Sequence, residues 1–305
     1  MDVRETARLI SRVESGDEAV RDRVKALYRQ GGRARIVGIS GPPGAGKSTL
    51  VDQLIERYRA RGLRVAIVAI DPSSPFSGGA VLGDRVRMAR HATDRGVFIR
   101  SLAARGALGG LTAATGDVLA ILDAAGWDII LLETVGVGQN EVEVMRIVPA
   151  VLLVQNPGDG DAVQSVKAGT LEIAHIFAVN KADMAGADKV ARNLQEMIAH
   201  KARQTSEGWE EPVLLTEASN GRGMDELVAA IDARFAFLDA NPDLARREEK
   251  TRLQARIKEL VTQHIHRRIA TSVKNGGMAD LLDAVADRVQ DPHSVAETLF
   301  RDITA

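Results

Sequence analysis

Cysteine is absent from all 305 residues, which excludes disulfides and also the thiolate metal sites of zinc and iron–sulfur proteins. An excess charge of either sign is missing too. Lys and Arg number 40, Asp and Glu 41, so the net charge is −1 and there is no electrostatic footprint for nucleic acid or an anionic membrane. Long apolar runs do not occur. Stretches such as Ile129–Leu132 and Ala150–Val154 are far short of a spanning helix, and the charged start Met1-Asp2-Val3-Arg4-Glu5 has no apolar signal core. The expected location is therefore the cytoplasm. Neither a tandem repeat nor a low-complexity segment is visible.

What is present is a hydrophobic fraction of 45%, enough for a sizeable core, in a chain long enough for one nucleotide-sized α/β unit plus additions at its ends. Residues 5–30 read as helical, with Ala7, Leu9, Ile10, Val13, Val20, Val24 and Leu27 recurring among charges, up to Gly31-Gly32. An alternation follows. β-rich runs at 36–40, 65–70, 97–100, 129–133, 150–155, 176–180 and 213–216 are separated by helical patterns at 48–61, 83–95, 113–125, 161–174, 188–204 and 224–238. Continuous apolar strands between helices indicate a mostly parallel sheet covered on both faces. After Asn241-Pro242 only helical patterns remain, led by a charged amphipathic stretch from Leu244 to about Ile269. The expected division is a helical extension over 1–32, an α/β nucleotide domain over 33–240 and a helical extension over 241–305.

Three motifs carry chemistry. The first, Gly41-Pro42-Pro43-Gly44-Ala45-Gly46-Lys47-Ser48-Thr49, is G-x-x-x-x-G-K-S between a strand and a helix. Its glycines let successive N–H groups turn inward onto phosphate oxygens at a helix N-terminus. Lys47 reaches the β- and γ-phosphates and the Ser48 hydroxyl ligates Mg²⁺. The second, Asn180-Lys181-Ala182-Asp183, ends a late strand. The Asp183 carboxylate can accept from N1–H and the 2-amino group of guanine. Adenine offers neither donor, which would leave the acid unpaired. The stem of Lys181 can lie over the base. The loop after the next strand, with Ala218 and Ser219, is expected to meet the base edge. The third is the apolar strand 129–133 ending in Glu133, an acid placed to hold Mg²⁺. Gly136 could offer its N–H to the γ-phosphate. Asp71, at the end of the run 65–70, and Asp84, in a glycine-rich loop, are further candidates for the Mg²⁺ shell, Asp84 doubling as a helix N-cap. No Gln directly follows the γ-phosphate contact, Gln139 being the nearest, so slow intrinsic hydrolysis and stimulation by a partner are expected.

These residues together resemble the MeaB/ArgK family of G-protein chaperones. The likeness spans about residues 35–240. It rests on the phosphate loop, on Asp71-Pro72-Ser73-Ser74 with Leu82-Gly83-Asp84-Arg85, on Glu133-Thr134-Val135-Gly136-Val137-Gly138-Gln139, on Pro157-Gly158 with Gly160-Asp161, and on Asn180-Lys181-Ala182-Asp183. The resemblance implies a homodimeric GTPase that escorts an adenosylcobalamin-dependent acyl-CoA mutase, such as methylmalonyl-CoA mutase, gating cofactor loading and protection. It implies catalytic roles for Lys47, Glu133, Gly136 and Gln139, nucleotide-responsive loops over 71–87 and 134–146, and a third switch with Asp159, Asp161 and Lys167 that answers to the mutase. It also makes the helical C-terminus a dimerisation arm. Glu217 departs from the Ser that members tend to carry there.

Other functions stay open on the residues alone: a GTPase that loads metal into another enzyme, a phosphotransferase, or a nucleotide-dependent binding module without turnover. Against the first, the six His are scattered, and His264 and His266 cannot face one metal from a helix. All six read as surface or packing residues.

Overall fold

A computed structural model describes residues 1–72, 89–91, 93–104, 110–134, 144–158, 168–202, 208–274 and 279–304. Among them, seven strands form one all-parallel sheet in the order β3-β2-β4-β1-β5-β6-β7. In chain order they are β1 (Arg35–Ser40), β2 (Val65–Pro72), β3 (Val97–Ala104), β4 (Ile129–Thr134), β5 (Ala150–Gln155), β6 (Ile176–Asn180) and β7 (Val213–Thr216). The helices are α1 (Val3–Glu14), α2 (Arg21–Tyr28), α3 (Lys47–Ala60), α4 (Gly110–Ala124), α5 (Ala168–Ile173), α6 (Ala187–Ala202), α7 (Met224–Ala240), α8 (Pro242–Lys274), α9 (Ala279–Ala286) and α10 (Pro292–Thr304).

The strands show why the sheet is buried on both sides. β4, β5 and β6 are buried at every position, and alternate residues enter different cores. Val37, Ile39, Ile129, Leu131, Leu152 and Val154 pack with Leu50, Leu54 and Tyr58 of α3 and Leu227, Ile231 and Phe235 of α7. On the opposite face, Ala66, Val68, Ile130, Leu132 and Val151 pack with Ile121 and Leu122 of α4, and with Leu9 and Ile10 of α1. Phe177 and Val179 join Leu194 and Ile198 of α6 in a third cluster. The N-terminal helices thus bury their apolar stripe in the same core as the sheet.

The continuous helix expected over 5–30 is broken. α1 stops at Glu14, Gly16 takes φ +75°, and Asp17 caps a 3-10 turn over Glu18–Val20, accepting from Ala19 N–H at 3.0 Å. Apolar periodicity carries across this point, but Ser15-Gly16-Asp17 is a helix stop followed by a start, and that local chemistry prevails. The helix expected over 83–95 also ends otherwise. Residues 89–91 form a single 3-10 turn, and Asp94 then accepts from Gly96 N–H at 2.7 Å in the turn that opens β3. β2 and β3 run longer than their apolar runs, pairing as far as Pro72 with Ala104. The C-terminal helix is longer as well, with Pro242 as its first residue, where a missing N–H costs nothing.

Candidate functional site

The site lies at the carboxyl ends of the central strands, where an open parallel sheet binds its ligands. β1 is its axis, flanked by β4 and β5. The chain leaves β1 at Ser40 and curls through 41–46 into α3, and two glycines make this curl feasible. Gly41 has φ +151°, and a Cβ there would sit 2.1 Å from the Val154 carbonyl oxygen. Gly46, at the N-cap of α3, has φ +89°, and its Cβ would lie 2.3 Å from Asn180 Nδ2. A side chain at either position would collide and also require the left-handed region.

Lys47 is 6% exposed and bends back over its own loop, its Nζ donating to Gly41 O at 2.8 Å and Pro42 O at 3.0 Å. Both acceptors are neutral, so anionic phosphate oxygens would be stronger partners for the same ammonium. Ser48, one residue on, donates its hydroxyl to Glu133 Oε1 at 2.8 Å. Glu133 stands at the end of β4 and is 3% exposed. Its neighbour Thr134 donates to Ser40 Oγ at 3.3 Å, tying the ends of β1 and β4 together. A buried hydroxyl beside a buried carboxylate is an all-oxygen donor set of the kind Mg²⁺ takes, so the residues fit that ion.

About 135 residues further along the chain, Asn180 is 2% exposed and holds three segments at once. Its Nδ2 donates to Ala45 O in the phosphate loop at 2.9 Å. Its Oδ1 accepts from Ala218 N–H at 3.0 Å and from the Thr216 hydroxyl at 3.2 Å. Lys181 follows with φ +58°, and Ala182 N–H donates to Thr216 O at 3.0 Å, locking the loop to β7. Asp183 is exposed on this loop, and Ser219 is exposed on the loop after β7. Ser219 has no hydrogen-bond partner among the described residues. Gly41, Pro43, Gly44, Ala45, Gly46, Lys47, Ser48, Thr49, Glu133, Asn180, Lys181, Asp183, Ala218 and Ser219 thus lie at or after the carboxyl ends of β1, β4, β6 and β7, in segments that these bonds tie together.

Glu217, the departure noted above, bonds within its own turn. It is 5% exposed and accepts from Arg222 Nη1 and Asn220 Nδ2, each at 2.7 Å. Thr216 is a site residue that the motif reading overlooked. Its only signal was a hydroxyl at the end of a short strand.

Gly136, Gln139, Asp84, Asp159, Asp161 and Lys167 lie outside the described residues, as does the side chain of Asp71, whose backbone is the next-to-last residue of β2. Among the described residues no group of three or more His, Asp or Glu could hold a metal ion. His91 and His175 serve packing. His91 Nε2 sits 2.8 Å from Asp52 Oδ1 on α3, and His175 Nδ1 accepts from Val151 N–H at 3.1 Å. No described helix is long and apolar enough to cross a membrane.

Known proteins resemble this chain in sequence and in fold. The family described as methylmalonyl-CoA mutase-associated GTPase MeaB matches residues 6–274. A putative GTPase of Pyrococcus abyssi (strain GE5 / Orsay) is 46% identical over 303 residues, 99% of this chain and 93% of its own. The mitochondrial methylmalonic aciduria type A homolog of Mus musculus is 38% identical over 196 residues, 63% of this chain and 46% of its own. The crystal structure of LAO/AO transport system kinase superposes with a TM-score of 0.68 at 24% identity, over 100% of this chain and 99% of that one, a likeness of fold.

Proposed function

We propose a function from one premise, that this chain belongs to the MeaB family of P-loop GTPases: it hydrolyses GTP to GDP and phosphate, and this cycle serves an adenosylcobalamin-dependent acyl-CoA mutase. The observation that carries the reading is the Asn180 side chain, which fastens the phosphate loop to both loops that would surround a base. A phosphate site and a base site held at fixed separation by one buried amide suit a nucleotide better than free phosphate.

In the proposed reaction, the backbone N–H groups of 44–49 and the N-terminus of α3 cradle the phosphates. Lys47 exchanges its two carbonyl partners for β- and γ-phosphate oxygens. Ser48 and Glu133 would hold Mg²⁺, which neutralises phosphate charge as it develops. Asp183 accepts from the guanine N1–H and 2-amino groups, Lys181 lies over the ring, and the 218–219 turn faces the O6 edge. Asp71 and Asp84 would contribute to the Mg²⁺ shell, and Gly136 and Gln139 would act on the γ-phosphate. Asp159, Asp161 and Lys167 belong to a switch that answers to the mutase. Residues 1–32, 33–240 and 241–305 act as N-terminal extension, nucleotide domain and C-terminal arm. The arm joins two copies as a homodimer in the cytoplasm. Support for the arm comes from Ile257 and Val261, one helical turn apart on α8 and 59% and 51% exposed.

The test is GTP hydrolysis with and without each candidate acyl-CoA mutase, with ATP as control. GTP turnover that rises with one mutase supports the whole reading and names the client. GTP turnover indifferent to every mutase leaves the GTPase and removes the chaperone role. Asp183→Asn should weaken GDP binding by about a hundredfold, because the amide presents a donor where guanine also presents donors.

A further inference from the structure

The turn that follows β7 is held from beneath by a residue in none of the motifs. Arg57 lies on α3, the helix whose N-terminus carries Lys47 and Ser48, and its side chain is 21% exposed. Its guanidinium reaches both the turn and α7. Nη2 donates to Gly221 O at 3.0 Å, Nε to Asp225 Oδ1 at 2.6 Å, and Nη1 to Gln53 Oε1 at 2.7 Å. Gln53 thus orients the group from one helical turn away. The fit is close, since a Cβ at Gly221, where φ is +80°, would lie 3.1 Å from both Arg57 Nη2 and Gln53 Oε1.

The turn itself is built to transmit that hold. Glu217 N–H donates to Arg222 O at 2.9 Å, and Glu217 O accepts from Gly221 N–H at 2.9 Å and Asn220 N–H at 3.1 Å. The Glu217 carboxylate closes the same six residues through Arg222 and Asn220. Residues 217–222 therefore move as one piece. That piece is attached at two places. At its start, Thr216 and Ala218 hang on Asn180. At its far side, Gly221 hangs on Arg57. Ser219 lies between the two attachments, one residue beyond Ala218.

We infer that Arg57 is a positioning residue for base recognition: by fixing Gly221 to the phosphate helix, it sets the distance between the phosphate loop and the Ala218–Ser219 edge that meets position 6 of the purine. The inference rests on the GTPase reading above. Hydrogen bonds to a base edge require placement to about 0.5 Å, and the Arg57 bond to Gly221 ties that placement to the helix that follows the phosphate loop.

The test is binding of GDP, 6-thioguanosine diphosphate and ADP to the whole chain and to Arg57→Ala and Arg57→Lys. The 6-thio analogue keeps N1–H and the 2-amino group but weakens the acceptor at position 6. Arg57→Ala should lose about tenfold on GDP and about twofold or less on the 6-thio analogue, the scale of one charge-assisted hydrogen bond. Arg57→Lys, which can reach one partner but not three, should fall between. Equal losses on both guanine ligands would mean a general packing role and overturn the inference, as would no loss on either. Both outcomes are read against a wild-type chain that prefers GDP to ADP. Absence of that preference would instead remove the guanine reading itself.

Discussion

Replacing Asn180 by Ala should destabilise the protein even when no nucleotide is present. The reasoning is that the Asn180 amide satisfies protein groups, not only a base. The substitution strands Ala45 O, Ala218 N–H and the Thr216 hydroxyl, all in a region where Asn180 is 2% exposed and Thr216 fully buried. At roughly 1 kcal/mol net for each lost bond, the sum is about 3 kcal/mol. For a chain of this size that corresponds to a fall of about 6 °C in melting temperature. Thr216→Val provides the internal scale. It removes only the 3.2 Å bond to Asn180 at nearly constant volume and should cost about 1 kcal/mol, or about 2 °C. The assay is urea and thermal unfolding of the nucleotide-free protein, repeated at saturating GDP. Ligand-linked stabilisation should be smaller in Asn180→Ala, because the base loops lose their fixed relation to the phosphate loop. An Asn180→Ala variant as stable as wild type without nucleotide would refute the idea that this side chain assembles the site before the ligand arrives.

Two further outcomes concern other buried charges. Arg234 on α7 is 1% exposed and meets both carboxylate oxygens of Glu248 on α8, at 2.6 and 2.8 Å, while its guanidinium lies 5.5 Å from the Trp209 ring centroid. Arg234→Ala should cost about 3 kcal/mol by urea unfolding, and adding Glu248→Leu should restore much of it, because the acid would keep only the longer 3.3 Å contact to Arg252 Nη1. Burial pushes the Asp117 carboxyl above its usual value, with the Arg256 guanidinium at 2.9 Å opposing the shift. The folded state then holds this proton more tightly than the unfolded chain. Ionisation at neutral pH therefore works against folding, and that cost vanishes as pH falls through the raised value and below the ordinary 3.8. Asp117→Asn should accordingly raise the melting temperature at pH 7 and leave it unchanged at pH 3. A variant less stable at pH 7 would show that the Arg256 pair outweighs burial.

Much of the molecule was legible before any coordinates. Apolar runs with helical patterns between them gave the parallel α/β sheet, because strands buried on both faces need apolar residues at every position, and β4, β5 and β6 have them. The phosphate loop could be read because its glycines answer to local backbone geometry. Asp183 is proposed for the base because the chemistry of guanine demands an acid. These are short-range constraints, and a sequence writes them in adjacent letters. What lay beyond reach was set by residues far apart in the chain. That Asn180 would bond to Ala45, that Glu217 would turn to Arg222 rather than to the base, and that Arg57 would grip Gly221 all depend on how α3, β6 and the turn after β7 meet across the sheet. The break in the N-terminal helix was written locally in Ser15-Gly16-Asp17, yet the apolar period ran through it. Its two halves share one core with the sheet, and only packing on α4 decided which residues of each half were buried. Sequence determines a site's chemistry where each group acts through its neighbours. Tertiary structure decides its rigidity, because a polar side chain has several partners within reach and only the assembled fold selects among them.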